Sequence, residues 1–375
     1  MRCPRTQGGL MQARIPVPPP HAGVVPGALA LPRPRRRRVD VLVLRRKAER
    51  LFLNVFTYLM LVDVAFVFLF PLIYMIATSV KSAQDLTDPT VYWLARDPQW
   101  GNYCFAFKSL EFDKFLMGFL NWCGTAQEAA MYPTATATTT SAVRVYKPGA
   151  PFTGSFWNST FISVGSAIGQ TLSCAFVGYG FGRVRFPGRN LLFGLVLFSF
   201  LVPPETIIVP LFILYKNLGW IDTYWPFIVP SFFGMGLKGA LFVIIFRQFF
   251  RGLPWELEEA ARIDGAGAIQ TFLRIMLPLA RPAIIVVFLF SLVWHWNDYF
   301  EPLIYLNRRE HFTLPMRLSV LQATLNELTG GQGAAVFNEG LIMAACVLII
   351  LPPLVVYFFT QRYFIESIDR TGLVD

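Results

Sequence analysis

A chain of 375 residues with 54% apolar and only 15% charged side chains lies well below the quarter charged that soluble domains carry. Its 36 Phe and 9 Trp exclude a disordered or fibrous protein. The net charge of +10 raises nucleic acid as a ligand, yet Arg33, Arg35 to Arg38, Arg45, Arg46, Lys47 and Arg50 all precede the first apolar block without aromatic interleaving. That placement reads as a membrane-orientation signal, and no nucleic-acid partner is expected.

In chain order, residues 1–50 form a basic, Pro-rich stretch predicted to be a disordered cytoplasmic arm. The block Leu51–Val80 is too long for a signal-peptide core and reads as an uncleaved span. A long outer loop, 81–157, follows. Its Thr/Ala tract Ala129–Val143 has almost no charge and is predicted to be mobile, whereas the aromatic flank Tyr103–Phe119 is expected to be structured. Cys104 and Cys123 fall in this loop, and a disulfide or two free thiols both fit. The five cysteines show no CxxC and no histidine at metal-ligand spacing, so no metal site is expected.

Five more apolar blocks, Phe161–Phe181, Leu191–Tyr215, Pro226–Phe246, Pro278–Tyr305 and Leu341–Thr360, are each long enough for ~30 Å of hydrocarbon. Arg183, Arg185 and Arg189 lie in the second-to-third connection, and Arg247, Arg251, Arg262 and Arg274 in the fourth-to-fifth. The third-to-fourth connection holds only Lys216, which places both termini in the cytoplasm. Arg308, Arg309 and Arg317 run against that pattern. The fold expected is an all-α membrane protein with six transmembrane helices over 51–365, a cytoplasmic loop 251–278 between helices 4 and 5, and a cytoplasmic tail 366–375.

That cytoplasmic loop reads as two short helices. Pro254 suits a first helical position, Glu256, Glu258 and Glu259 complement the helix dipole, and Gly265 suits a left-handed terminator. Ile269, Phe272, Leu273 and Met276 recur as one apolar stripe, and Pro278 closes the second helix and opens the next span. Ala260 and Ala261 are small enough for another surface to come close. An ordinary amphipathic loop under the membrane fits the same residues about equally well.

Glu259-Ala260-Ala261, Gly265, Ile275, Leu277 and Pro278 stand at the spacing EAA-x3-G-x9-I-x-LP, which resembles the signature of ATP-binding-cassette (ABC) importer permeases. Asn158-Ser159, Arg185-Phe-Pro-Gly-Arg189, Asp222-Thr-Tyr-Trp225, Trp296-Asn-Asp298 and Gln361-Arg-Tyr-Phe364 are similar to the carbohydrate-uptake branch, the maltose and glycerol-phosphate type. The resemblance implies a prokaryotic inner-membrane protein paired with a second permease. It also implies a cytoplasmic ATPase dimer that holds ATP and Mg, so that this chain binds no cofactor, and an extracytoplasmic solute-binding protein that delivers a sugar-like solute. The coupling residues would be Glu259, Ala260, Ala261, Asp264, Gly265, Ile275, Leu277 and Pro278. The outer loop, longer than usual around Leu116–Pro151, and the tail after Phe364 depart from the pattern.

Other signals are weaker. Gly234-Met-Gly-Leu-Lys-Gly239 matches a dinucleotide fingerprint but lies in an apolar block with no strand before it, so small residues at a helix interface are expected instead. Asp63, Glu205, Lys238, His295, Asn297, Asp298, Glu301 and Glu339 are polar groups at membrane depth, of which Asp63 and Glu339 are expected to reach headgroups. Glu205, Trp294, Trp296, Asn297 and Asp298 are candidates for the solute pathway, because indole faces beside amide and carboxylate groups suit a polyol. Tryptophans packed between helices are the competing reading, and the favoured one. A permease for a different small solute and a stand-alone secondary transporter remain alternatives; a membrane enzyme finds no catalytic constellation, with His21, His295 and His311 far apart in sequence.

Overall fold

Backbone polar groups in hydrocarbon must be satisfied within the segment, so apolar runs of this length are driven to helix. The computed structural model describes residues 41–112, 154–236, 238–328 and 335–371, and every regular element among them is helical. Two compact units divide the chain, one ending at Val64 and the other beginning at Ala65. Helix α1 (Val41–Ser79) starts inside the stretch read as an arm, and its residues Leu51–Val62 are exposed apolar side chains apart from Asn54 and Thr57. The Thr/Ala tract and Cys123 lie outside the described residues; Cys104 is held in a disulfide.

Short helices α2 (Ala83–Thr87) and α3 (Gly101–Ser109) precede α4 (Ser155–Arg183), the helix around which the second unit is built. Then come α5 (Arg189–Leu201) and α6 (Pro204–Asn217), α7 (Trp225–Ser231), α8 (Gly239–Gly252), α9 (Glu256–Ile263) and α10 (Ala268–Thr271). A π turn, Phe272–Met276, leads through α11 (Leu277–Leu279) to α12 (Arg281–Asn297), followed by α13 (Phe300–Tyr305), α14 (Leu314–Leu328) and α15 (Ala335–Thr371). Three helical stretches are long and apolar enough to cross a membrane: Glu49–Ser79, Ser155–Arg183 and Glu339–Arg362. Counting each of two bent pairs as one span raises the number to five among the described residues.

Three of the expected spans are not straight, one of them Pro278–Tyr305, which bends by 78° at Ala280 and is interrupted again after Asn297. The block Leu191–Tyr215 bends by 100° between α5 and α6, at Pro203-Pro204, where two consecutive rings interrupt the helical ladder. The block Pro226–Phe246 is not one helix: α7 stops at Ser231, and the chain turns before α8 starts at Gly239. Gly234, Gly236 and Lys238 there have φ of 71°, 86° and 61°. The glycine pattern is thus a turn rather than a small-residue helix face, and a Cβ on Gly239 would lie 2.3 Å from the Gly234 carbonyl oxygen.

A broken helix leaves carbonyls without their intrahelical partners, and α4 supplies donors for them. Ser166 Oγ donates to Phe227 O (3.0 Å), Ser173 Oγ to Ser231 O (2.8 Å) and Gln170 Nε2 to Met235 O (3.1 Å). The same helix face is stripped of bulk where α8 crosses it: a Cβ on Gly178 would sit 2.5 Å from Phe246 Cβ. In lipid, close van der Waals approach of this kind drives association of helices. The resulting core joins Cys174, Ala175 and Tyr179 to Phe242, Phe246, Phe250, Phe272, Met276 and Val287.

At the opposite end of α4 from Arg183, two of the motifs noted in the sequence converge. Asp222 Oδ1 accepts from the backbone N–H groups of Asn307 (3.1 Å) and Arg308 (3.0 Å), and Oδ2 pairs with Arg308 Nε at 2.8 Å. Asn158 Nδ2 donates to the carbonyls of Glu310 (2.7 Å) and Phe312 (3.0 Å), Tyr224 donates to Asn158 Oδ1 (2.8 Å), and Leu314 N–H donates to Ser159 Oγ (2.9 Å). Arg317 pairs with Glu111 at 2.7 Å. The arginines that ran against the charge pattern, Arg308 and Arg317, are therefore committed to carboxylates.

Candidate functional site

The motif segment folds as α9 and the turn that ends it. The helix begins at Glu256, two residues later than a proline at the first helical position implies, so Pro254 precedes the helix. Its first turn carries Glu256, Glu258 and Glu259, which complement the dipole. Gly265 has φ +81°, and the N–H groups of Ala266 and Gly265 donate to the carbonyls of Ala261 (2.9 Å) and Arg262 (3.0 Å). That pairing is a Schellman ending, the role the sequence assigns to Gly265. Asp264 is the exposed residue just before it.

What fixes α9 to the body is Arg183, a residue whose charge in the sequence reads only as an orientation signal. Its Nε donates to Phe250 O (2.7 Å), and its Nη2 donates to Leu253 O and to Pro254 O (3.3 Å). The guanidinium lies 4.4 Å from the Trp255 ring centroid, and Nε is 3.5 Å from Glu258 Oε1. Both side chains are buried, at 0% and 4% exposure. One sequence signal could have revealed the pair: Glu258 and Ala261 are three apart on one helix face, and that face is the buried one.

The two alanines of the motif thus divide. Ala261 is buried at 3% exposure, so it cannot be the close-approach surface, and Glu259 and Ala260 remain exposed. The apolar stripe divides too. The π turn shifts the helical phase, so Phe272 and Met276 are buried while Ile269 and Leu273 face outward. Ile269 and Leu273 line an open concavity with Gly267, Ala268, Gln270 and Arg274, and Ile263 is 86% exposed. Ile275 and Leu277 are half-buried and Pro278 is exposed. The chain breaks by 78° after Leu279, at Ala280, so Pro278 does not open the next span.

The five pathway candidates have different surroundings. Trp296 is buried and donates to Ile349 O (3.0 Å), while Trp294 packs on Phe242 and Phe290 with centroids 5.5 and 5.8 Å apart. Both tryptophans pack between helices. Asp298 Oδ1 accepts from Phe300 N–H (3.1 Å) at the start of α13, Asn297 is exposed, and Glu205 is exposed in the first turn of α6. The buried polar string at this depth is different: Ser291 Oγ donates to Gln170 Oε1 (2.6 Å), and His295 Nδ1 lies 2.8 Å from Ser291 O. Gln170 and Ser291 are uncharged, and an apolar context hid them.

Residues 159–370 match the model of a family described as the binding-protein-dependent transport system inner membrane component. The chain belongs to that family. Over 218 residues it is 33% identical to the arabinooligosaccharides transport system permease protein AraQ of Bacillus subtilis, covering 58% of this chain and 72% of that protein. It is 32% identical over 227 residues to the sn-glycerol-3-phosphate transport system permease protein UgpE of Yersinia enterocolitica, covering 60% and 74%. A chain in the crystal structure of a bacterial ABC transporter involved in the import of alginate superposes with a TM-score of 0.61, covering 84% of this chain and 98% of that one. At 23% identity that likeness is one of fold. The protein is therefore an inner-membrane transport component, a family membership that the secondary-transporter and membrane-enzyme readings do not share.

Proposed function

We propose that this chain is one of two permease subunits of an ABC importer for a sugar or related polyol, and that residues 251–278 couple it to a cytoplasmic ATPase. The relatives with sugar and glycerol-phosphate names support the solute class. The observation that carries the coupling role is the way α9 is held. Its inner face is locked by Arg183, Glu258 and Ala261, and its outer face presents Glu259, Ala260 and Ile263. A solvated loop has no need of a buried arginine to fix one helix, whereas a docking element gains from being rigid before it meets its partner.

In this reading the chain spans the membrane six times with both termini in the cytoplasm, the broken pair α7 and α8 supplying the fourth crossing. The pairing of Arg308 and Arg317 removes most of the charge evidence for the opposite orientation. ATP and Mg belong to the ATPase dimer, and an extracytoplasmic binding protein delivers solute at the Asp222 end. Asn297, Asp298 and Glu205 are the remaining candidates for solute contact, the two tryptophans being structural.

The test is Ala260→Phe. In membranes carrying the assembled transporter, this variant is expected to reach normal abundance yet lose most ATPase co-purification and most vesicle uptake. Full uptake with full ATPase association would remove the coupling role from this loop.

A further inference from the structure

Three arginines gather at the loop end of α5 and α8, and among the described residues no carboxylate pairs with them. Arg247 and Arg251 lie one turn apart on α8, and Arg189 opens α5. The Arg247 guanidinium sits 3.8 Å from the Phe193 ring centroid, and its buried Nε has no hydrogen-bond partner among the described residues. Arg251 runs against α4 at Gly182, where a Cβ would meet its Cγ at 3.7 Å. Arg189 makes only a 3.4 Å bond to Val184 O. By contrast, Arg183, Arg308 and Arg317 each face a carboxylate. Arg251 and Arg189 are close enough for their charges to act on Arg247.

The surroundings say what kind of anion suits this cluster. Helix α5 has no buried residue, and Leu191, Leu192 and Leu195 are exposed along it directly beyond Arg189. A cationic corner at one end of an exposed apolar helix matches an amphiphile, with its phosphate at the arginines and its hydrocarbon along the leucines. Guanidinium groups suit phosphate oxygens because their donors form a planar fork. An inorganic phosphate or a nucleotide would satisfy the charges but leave the leucines uncovered.

We propose that Arg189, Arg247 and Arg251 form a headgroup site for an anionic phospholipid of the inner leaflet, with its acyl chains lying along α5. The proposal rests on the orientation given above, in which this end of the protein faces the cytoplasm.

The experiment uses the assembled transporter, exchanged into mixtures of phosphatidylglycerol and phosphatidylcholine and read by native mass spectrometry. The wild type is expected to retain phosphatidylglycerol preferentially. Arg247→Gln with Arg251→Gln should cut that preference by at least about tenfold, since each arginine near an anionic surface contributes roughly a factor of five. Arg96→Gln, at an exposed arginine paired with Asp88, serves as the control and should change nothing. If the double variant does not assemble, the exposed Arg251→Gln alone should lower the preference about fivefold. An undiminished preference in these variants overturns the site, as does displacement of the lipid by millimolar inorganic phosphate, which would mark a free-anion site. Orientation is read separately. Labelling of Asn190→Cys by an impermeant thiol reagent outside intact cells would overturn the cytoplasmic placement while leaving the lipid preference measured in the mixtures unchanged.

Discussion

Replacing Arg183 with Met is the sharpest perturbation of the proposed coupling loop that leaves the loop sequence untouched. The substitution keeps much of the volume but removes the three charge-assisted bonds to Phe250, Leu253 and Pro254 and the partner of buried Glu258. Breaking a buried pair by removing one member costs about 3–5 kcal/mol, because the remaining charge stays desolvated. Here Glu258 retains only Arg262, 3.9 Å away and 71% exposed, which screens rather than replaces the lost partner. Because α9 is a peripheral helix, the cost should appear as local opening and not as global unfolding. At ~1.4 kcal/mol per decade, amide exchange over Glu256–Asp264 should accelerate by roughly two to three and a half powers of ten. Amides in the middle of α4 should keep their wild-type rates. Glu258→Gln supplies the contrast. It removes the charge while Arg183 keeps its carbonyls, since Nε already gives its proton to Phe250 O, so the acceleration should be well under a hundredfold. Hydrogen exchange of the purified transporter measures all of this. Unchanged α9 exchange in Arg183→Met, or equal damage from both variants, would refute the clamp.

Three further outcomes follow from the geometry. Gly265→Val meets no atom within 4 Å of its Cβ, so its cost of about 1–3 kcal/mol comes from the left-handed backbone alone. Gly265→Asn, which tolerates that region, should recover most of the uptake that Val loses, and equal uptake by the two would place the requirement elsewhere. Gly239→Ala should destabilise the transporter by about 1–3 kcal/mol, seen as a lower midpoint in a thermal detergent assay, because its Cβ collides with the Gly234 carbonyl. Gly194→Ala, with nothing within 4 Å, is the control that should keep its midpoint. Burial alone would raise Asp222, but the backbone N–H of Arg308, His311 and the N–H of Asn307 together hold its carboxyl below the usual range. A depressed acid stabilises above its unfolded value and loses that contribution as pH falls through the folded one. Protection of the Asn307 and Arg308 amides should therefore persist from pH 8 to below pH 5 and fail only in stronger acid, near or below ~4. An opening midpoint above pH 5 would sink that account.

Membrane placement, helical class and the motif segment were legible because they rest on patterns a linear reading captures: long apolar runs and residues at fixed offsets. Gly265 illustrates the second kind, since a helix terminator is chosen by local backbone geometry. The breaks were less legible. Pro226–Phe246 reads as a continuous apolar run because periodicity carries no information about whether distant side chains will donate to the interrupted carbonyls. Ser166, Gln170 and Ser173 supply those partners from some 60 residues away in sequence. The same limit applies to Arg183, whose charge counts equally in a topology vote whether it faces headgroups or is fully buried. Ala261 and Ala260 look identical in sequence, and only the crossing of α9 with the body separates them. In the string Trp294 to Asp298, the two tryptophans pack against Phe242, Phe290 and the Ile349 carbonyl, partners that a linear reading cannot assign.

One helix touches every element that the proposed function draws on. Through Arg183, α4 holds the loop; through Ser166, Gln170 and Ser173, it completes the broken α7 and α8; through Asn158 and Ser159, it fastens the Asp222 end. Its 29 residues correspond to about 44 Å at 1.5 Å per residue, more than the hydrocarbon thickness. No proline interrupts it, while α1, α6 and α15 each contain one or two. A push on α9 therefore meets an uninterrupted helix at one end and a hydrogen-bonded latch at the other. The compliant points lie to the side, at the 100° bend before α6 and at the glycine turn before α8. If ATP-driven movement of the loop is to open a path for solute, the strain will concentrate at those two breaks, where backbone dihedrals can change without tearing a continuous helical ladder.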